Sequence, residues 1–550
     1  MIGKDRHSLA WISVCGLAIA ASMTSVANGF AFDDIHIILE NRSVHSLARW
    51  WELFAGSYWP PERGGDLYRP FTMLGFAIQW AVGGGNPLVF HLGSILLYTI
   101  TCAAFFWVVL TLLPLPAAWL AGSLFAVHPL HVEAVGNVVG QSELWAALFM
   151  FLALGLYLRA RQQGTLRARA MCSIAALYVL ACLSKEHGIL LPMLLAAAEL
   201  TVIQRSHSMR ARLVEVRPLA LLLAAVGLGF LWARTTVLTA TSGPGAQVSL
   251  LFVDQPFSIR AMTMLGVVLE WVRLFLWPAD LSADYSPRRI DIVTGPTLEL
   301  LASAAIVTGT VWLAWLARRA VPVATFAALW VLVGLLIPSN ILVPTEIVLA
   351  ERTLFLASGG VMLGLAAALA HMAGEARIQS PLPRAAVVSI AVVLLLGVVT
   401  SALRQRVWRD NITLFAQTVR DAPTSYAAHL AYGSALFQQN HQQAAFDEIR
   451  IAYRLYPRDL TVVQYMGQIY ARENNCPVAL TFFRRALSED PGRTDSRLSL
   501  ASCLIVSGEH AEARRAIDQG LAIGRSKDAL LQLKALNDSV EASRRTVAPR

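Results

Sequence analysis

Over most of this chain, apolar residues run nearly unbroken instead of alternating with polar ones. Such runs occupy 9–27, 88–113, 115–130, 143–158, 170–184, 187–203, 218–235, 297–317, 321–337, 353–371 and 385–403. A helix crosses the ~30 Å apolar layer of a bilayer in about 20 residues, so these runs predict about eleven transmembrane helices. The first, preceded by Lys4 and Arg6, reads as an uncleaved signal anchor because so many spans follow it. A further segment, 260–277, carries Arg260, Glu270 and Arg273 and ends at Trp277-Pro278. It is expected to be re-entrant or interfacial, since buried charge is costly in a span.

Loop charges orient the bundle. With Lys4 and Arg6 inside, the cytoplasmic loops hold Arg159, Arg161, Arg167 and Arg169, then Arg205, Arg210, Arg212 and Arg217, then Arg318-Arg319 and the Arg377–Arg384 stretch. The C-terminal tail is then extracytoplasmic, and so is the long loop 29–87. In that loop Val44, Leu47, Trp51 and Phe54, and again Phe71, Leu74, Ile78 and Ala81, recur at helical spacing. Each set predicts an amphipathic helix lying on the membrane surface or packed on neighbouring protein. Composition agrees with a membrane chain: 15% of residues are charged and 56% hydrophobic, where soluble chains carry about 25% charged. The net charge of +9 comes without a basic, aromatic-interleaved stripe, so nucleic acid is not an expected partner. Six cysteines show no CxxC or zinc spacing and do not indicate a redox compartment.

After Leu403 the pattern changes to polar, with a 34-residue period. Tyr426–Asp459, Leu460–Arg493 and Thr494–Lys527 align without gaps, with Gly433, Gly467 and Ala501 in register, as are Ala445, Ala479 and Ala513. Pro457 and Pro491 close two repeats. This is the tetratricopeptide (TPR) pattern, whose paired helices need small residues where they cross. The expected division is a transmembrane domain over 1–403 and a TPR α-solenoid over 404–550, an all-α chain throughout.

Candidate chemistry gathers at the predicted outer ends of spans. Asp33-Asp34 could supply a general base or hold a metal; the alternative is a pair of solvated acids. Arg69 suits a phosphate or a lipid headgroup. His91 opens the second span. His128-Pro129-Leu130-His131-Val132-Glu133 closes the third, and Pro129 spoils the helical spacing a zinc pair relies on, leaving site-wall hydrogen bonding as the reading. Glu143 opens the fourth span. Lys185-Glu186 joins two spans, and lysine is scarce, with Lys4, Lys185, Lys527 and Lys534 the four present. Glu351-Arg352 offers a guanidinium for bidentate phosphate contact, held by the neighbouring carboxylate. Asp284-Tyr285-Ser286 would contribute to a rim. Acids for proton abstraction, with Lys and Arg for a phosphate, suit a reaction between a membrane-held phosphate leaving group and an extracytoplasmic hydroxyl. No P-loop or GxSxG elbow offers another chemistry.

These residues resemble the transmembrane and tetratricopeptide-containing (TMTC) O-mannosyltransferases of the GT-C glycosyltransferase superfamily. The resemblance is carried by Phe32-Asp33-Asp34, Tyr68-Arg69-Pro70-Phe71-Thr72, Phe90-His91, the stretch from Ala126 to Val135, Val139-Gly140-Gln141-Ser142-Glu143-Leu144, Leu183-Ser184-Lys185-Glu186-His187-Gly188, Glu351-Arg352 and the repeats. It implies transfer of mannose from a polyprenyl-phosphate-linked donor to hydroxyls of extracytoplasmic proteins, which the repeats would hold. It places the base on Asp33 or Asp34 and the phosphate-binding cations on Lys185 and Arg352, with Arg69 beside them. Glu351, Glu186, His128, His131, Glu133, Glu143 and His91 would support them. Metal is not required by this scheme; a divalent ion at Asp33 and Asp34 is the alternative. An arginine-rich single chain of this kind implies a bacterial inner membrane. The chain departs from the family at Gln141-Ser142, where an Arg-Ala pair is common, and at Phe355-Leu356-Ala357-Ser358, where Tyr-Leu-Pro-Ser is common.

Overall fold

The computed structural model describes residues 2–60, 67–164, 166–203, 208–241, 251–253, 255–285, 289–345, 347–374, 383–524 and 526–547. Arg205, Ser286 and Arg377, and the side chain of Lys4, lie outside the described residues. Among the described residues every regular element is helical. They form two compact units, 1–285 with 290–414, and 286–289 with 415–550.

Among the described residues of the first unit, seven helices are long and apolar enough to cross a membrane: Asp5–Ala27, Pro87–Leu110, Val138–Gln162, Arg210–Thr241, Leu298–Ala317, Glu351–Ala373 and Arg384–Arg409. The expected span 115–130 is broken. Leu115–Val127 and Pro129–Gly136 meet at 49°, because Pro129 cannot continue the first helix and His128 turns to cap the next, its Nδ1 accepting the Leu130 N–H at 3.2 Å. The runs near 170–184 and 321–337 form the shorter apolar helices Ala168–Ser184 and Pro322–Leu335. The run near 187–203 divides into a 3₁₀ turn, Glu186–Leu190, and the helix Leu191–Thr201. The charged segment 260–277 folds as two short helices, Phe257–Gly266 and Val268–Leu276. Trp271, Leu274 and Phe275 are buried there against Leu130 and Leu354.

The helix Gln141–Gln162 sets the scale of this unit. Glu143 stands at its start and Arg161 near its end. At ~1.5 Å rise per residue they are ~27 Å apart, close to the apolar thickness of a bilayer. Each end holds a buried charge network. At the Arg161 end, Glu199 accepts from Arg161 at 2.8 and 3.0 Å, from Arg212 at 3.0 Å and from Tyr157 at 2.5 Å. Arg161 and Arg212 belong to the arginine-rich loops 159–169 and 204–217.

The long first loop corrects one expectation. Val44, Leu47, Trp51 and Phe54 do not share a helix: two 3₁₀ turns, Arg42–Val44 and Trp50–Phe54, flank an irregular stretch. Val44 and Leu53 carry the burial, while Trp51 is exposed. The second expected helix forms at Pro70–Gly83. Its buried face is Thr72, Met73, Phe76 and Ala77, with Ile78 exposed. The reason is local: Met73, Phe76 and Ala77 complete a core with Ile37, Ile38, Val44 and Leu53 of the same loop.

The second unit is a helical-hairpin array. Tyr426–Gln438 pairs with Gln442–Leu455, Leu460–Arg472 with Cys476–Glu489, and Thr494–Ser507 with His510–Ile523, and Lys527–Val547 follows. Between the helices of each hairpin the chain turns through a left-handed residue at the same repeat position: Asn440 (φ 65°), Asn474 (φ 60°) and Gly508 (φ 82°). Asn and Gly are the residues that enter that region at least cost. At Gly467 a side-chain carbon would meet Phe483 at 2.6 Å, so the crossing of that hairpin depends on the missing Cβ.

Candidate active site

The opposite end of the Gln141–Gln162 helix gathers most of the charged residues expected at the outer face. Their partners are not their sequence neighbours. Lys185 does not pair with Glu186; its ammonium bonds Glu143, and His187 Nδ1 lies 3.3 Å from the same carboxylate. Glu186 instead holds Arg69 through two guanidinium nitrogens, at 2.8 and 3.0 Å. Arg352 is not held by Glu351. Its Nη1 meets Glu133 at 2.5 Å and its backbone N–H donates to the same carboxylate at 2.9 Å. Glu351 turns away, accepting from Ser282 N–H at 2.5 Å and from the Tyr285 hydroxyl at 2.9 Å.

Local folding explains these pairings. Pro70 starts a helix whose Thr72 hydroxyl donates to Ser184 O at 2.9 Å, which brings Arg69 beside the Lys185 turn. The break at Pro129 carries Glu133 toward the Glu351–Leu354 turn and Arg352. Antiparallel helices Gln141–Gln162 and Ala168–Ser184 return Lys185 to the Glu143 end.

Asp33 and Asp34 are adjacent but do different things. Asp34 is fully buried. It accepts backbone N–H groups from Val139 at 2.8 Å, Val138 at 3.2 Å and Ala31 at 3.4 Å, joining the first loop to the start of a span. Burial pushes its carboxyl up to about 7, although those three N–H groups favour the charged form. Asp33 keeps 23% of its side chain exposed and lies 3.8 Å from Arg352 Nη2, beyond hydrogen-bond reach. Burial raises its carboxyl above the ordinary value, against the pull of Arg352 and His36. Before it, Phe32 sits at φ 56°, a costly conformation for an aromatic residue. Its N–H is held by Asn411 Oδ1 at 2.6 Å. The strained turn separates the two acids, sending one inward and leaving the other at the cluster.

Arg69 and Arg352 link the two sides of the cluster: both lie close enough to act on the charge of Asp33 and on that of Lys185, and Arg352 also feels Glu133 and Glu143. Burial draws the Lys185 ammonium down to about 8 despite Glu143 beside it. Burial alone would raise Glu186, but Arg69 outweighs it and holds Glu186 below its usual range.

The histidines are differently employed. His91 Nε2 meets Gly29 O at 3.0 Å. His128 Nε2 meets Phe275 O at 3.0 Å, and His131 bridges the Tyr98 hydroxyl at 3.0 Å and the Ser358 hydroxyl at 2.8 Å. These contacts tie helices together. Gln141 is likewise buried, its amide donating to Gln79, Phe90 O and Ser94. Among the described residues no group of three or more His, Cys, Asp or Glu side chains is arranged to hold a metal ion.

Sequence reasoning missed Tyr58. Its ring lies under the Arg69 guanidinium, 4.9 Å from the carbon to the ring centre, and its buried hydroxyl has no hydrogen-bond partner among the described residues. Nothing in the Ser-Tyr-Trp stretch marks it, because its meaning comes from Arg69 above it.

Sequence models of the tetratricopeptide repeat match residues 399–459 and 471–536. Over 513 residues the chain is 24% identical to the human (Homo sapiens) protein O-mannosyl-transferase TMTC3, covering 87% of this chain and 55% of that protein. A Caenorhabditis elegans relative, protein O-mannosyl-transferase F38B6.6, is 25% identical over 79% of this chain and 61% of its own length. Drosophila melanogaster protein O-mannosyl-transferase Tmtc1 is 30% identical over 51% of this chain and 34% of its own. The chain thus spans little more than half the length of TMTC3.

Proposed function

We propose that this chain, a membrane protein with tetratricopeptide repeats and homologous to the TMTC protein O-mannosyl-transferases, transfers a sugar from a polyprenyl-phosphate-linked donor to hydroxyls of extracytoplasmic proteins. The relatives' names supply the sugar, mannose, and the protein acceptor. The observation that carries the reading is the meeting of Asp33, Arg69, Lys185 and Arg352, from four distant stretches, at one end of the bundle.

Asp33 is the base of this scheme, because Asp34 is committed to three backbone N–H groups. An acceptor hydroxyl gives its proton to Asp33 and its oxygen attacks the anomeric carbon. The bond from that carbon to the phosphate oxygen breaks, with inversion. Negative charge grows on the departing phosphate, where Lys185 and Arg352 stabilise it. Both cations keep N–H donors to spare after pairing with Glu143 and Glu133, and those carboxylates fix their direction. Arg69, clamped by Glu186, adds charge beside them, and Tyr58, its ring under Arg69, can donate its hydroxyl to a phosphate or sugar oxygen. The lipid tail holds the donor in the membrane at the site. The repeats would present the acceptor, the expected membrane is a bacterial inner membrane, and the cluster faces the extracytoplasmic side.

The test is incubation of purified protein with radiolabelled polyprenyl-phosphate-mannose and an extracytoplasmic protein extract. Label is expected to enter protein with the native chain and not with Asp33→Asn. No transfer by the native chain, or equal transfer by the variant, overturns the reading; transfer to lipid or glycan alone identifies a lipid-linked-glycan ligase.

A further inference from the structure

Cys476 opens the second helix of the middle repeat, and Cys503 lies in the first helix of the next, Thr494–Ser507. The sequence gives no reason to pair them, since 26 residues separate them without a motif. The fold brings them together. Both are buried in one apolar core with Ala479, Leu480, Phe483 and Leu504, and their Sγ atoms lie 2.6 Å apart.

Repeat geometry supports the contact independently. One period later the same two positions are His510 and Asn537. They also face each other across their seam, His510 Nδ1 to Asn537 Oδ1 at 2.9 Å, with the Asn537 amide donating back to His510 O at 3.3 Å. In two successive seams this position therefore brings side chains of neighbouring elements together, as two thiols in one and a polar link in the next.

We propose that Cys476 and Cys503 form a disulfide that fastens the middle repeat to the one after it. The oxidant is the disulfide of a thiol–disulfide oxidoreductase. One cysteine thiolate attacks a sulfur of that disulfide, releasing the oxidant's other sulfur as a thiolate and leaving a mixed disulfide. The second cysteine then attacks the sulfur of the first. One S–S bond forms, the oxidant's S–S bond is lost, and two electrons and two protons pass to the oxidant as two thiols. Burial pushes the Cys503 thiol up to about 12, so exchange belongs to the folding chain, before the seam closes. Arrays of this kind are held by repeat-to-repeat interfaces, and a covalent link stops this seam from opening. Disulfides persist in oxidising compartments, which puts the repeats on the extracytoplasmic side that the loop charges predict. The proposal is independent of the glycosyl-transfer reading.

The test uses the full chain in its membrane. Cells are quenched with acid, and free thiols are blocked with N-ethylmaleimide under denaturing conditions. The sample is then reduced and treated with a maleimide polyethylene glycol. The native chain is expected to gain two polymer adducts, and Cys476→Ser or Cys503→Ser to gain none. Proteolysis of the unreduced native chain should release the two cysteine peptides as one cross-linked species, a readout that needs no variant to fold. Complete blocking of all six thiols, or adducts that persist in both variants, overturns the proposal.

Discussion

Replacing Asp33 and Asp34 separately by Asn divides the chemistry from the scaffold. Asp33 accepts no hydrogen bond among the described residues, and Arg352 keeps Glu133 if Asp33 is lost. Asp33→Asn should therefore leave the unfolding midpoint in detergent unchanged. Removing a general base costs ~10²–10⁴ in rate, so transfer should fall by about that factor. Asp34→Asn does the opposite. An amide offers one acceptor oxygen, and its NH₂ would face a backbone N–H. Above about pH 7, where Asp34 is charged, one lost hydrogen bond to it costs about 1.5–3 kcal/mol, and the Val138, Val139 and Ala31 donors cannot all be kept. The midpoint should drop clearly, while the folded fraction still transfers label at a measurable rate. The assay is initial rate of label transfer against donor concentration, beside thermal unfolding of the same preparation. Asp34→Asn silent in transfer at an unchanged midpoint, with Asp33→Asn fully active, would refute the division of roles.

Transfer should depend on pH in both directions. Under the proposed mechanism Asp33 is a base only when deprotonated, and its raised carboxyl should shift the acid limb upward. The proposed phosphate contact of Lys185 needs its charge, so rates should fall above about pH 8, and Lys185→Arg should move that alkaline limb upward. Stability carries a separate signature. Folded Asp34 keeps its proton to about pH 7 while the unfolded chain releases it near 3.8; between those values the native state binds more protons, so stability falls as pH rises, and Asp34→Asn should flatten that slope in a titration of unfolding midpoints. Glu133→Gln leaves Arg352 without its charged partner in a buried setting, where breaking such a pair costs ~3–5 kcal/mol; it should lower both the midpoint and donor affinity. Gly467→Ala forces a carbon against Phe483 and should destabilise the repeats by ~1–3 kcal/mol, read by hydrogen exchange in 460–489.

The repeats were legible because their period is imposed by packing. Small residues recur every 34 positions, since each hairpin must cross at the same place, and a linear pattern records that directly. The charged residues of the candidate site were legible by type and by their position at span ends. Their pairing was not. Lys185 sits next to Glu186 in sequence, but a sharp turn points them apart, to Glu143 and Arg69. Arg352 follows Glu351 yet is held by Glu133, 219 residues away, because the break at Pro129, just before Glu133, turns that carboxylate toward it. Phe32 entered the sequence reading only as part of the Phe32-Asp33-Asp34 motif and Tyr58 not at all: one matters through a backbone angle and the other through its place under Arg69. The apolar spacing at 44–54 misled for a related reason. Separations of three and four fit 3₁₀ turns packed on a loop core as well as a continuous helix.

The central claim is that the lipid-linked phosphate sits among Asp33, Lys185 and Arg352. The most direct measurement is photo-crosslinking with a polyprenyl-phosphate analogue whose reactive group adjoins the phosphate, followed by peptide mapping. Adducts are expected on the stretches around Phe32–Asp34, Tyr58, Ser184–Glu186 and Glu351–Arg352, and should be competed away by unmodified donor. Adducts gathered instead at Arg161, Glu199 and Arg212, at the other end of the same helix, would contradict the account.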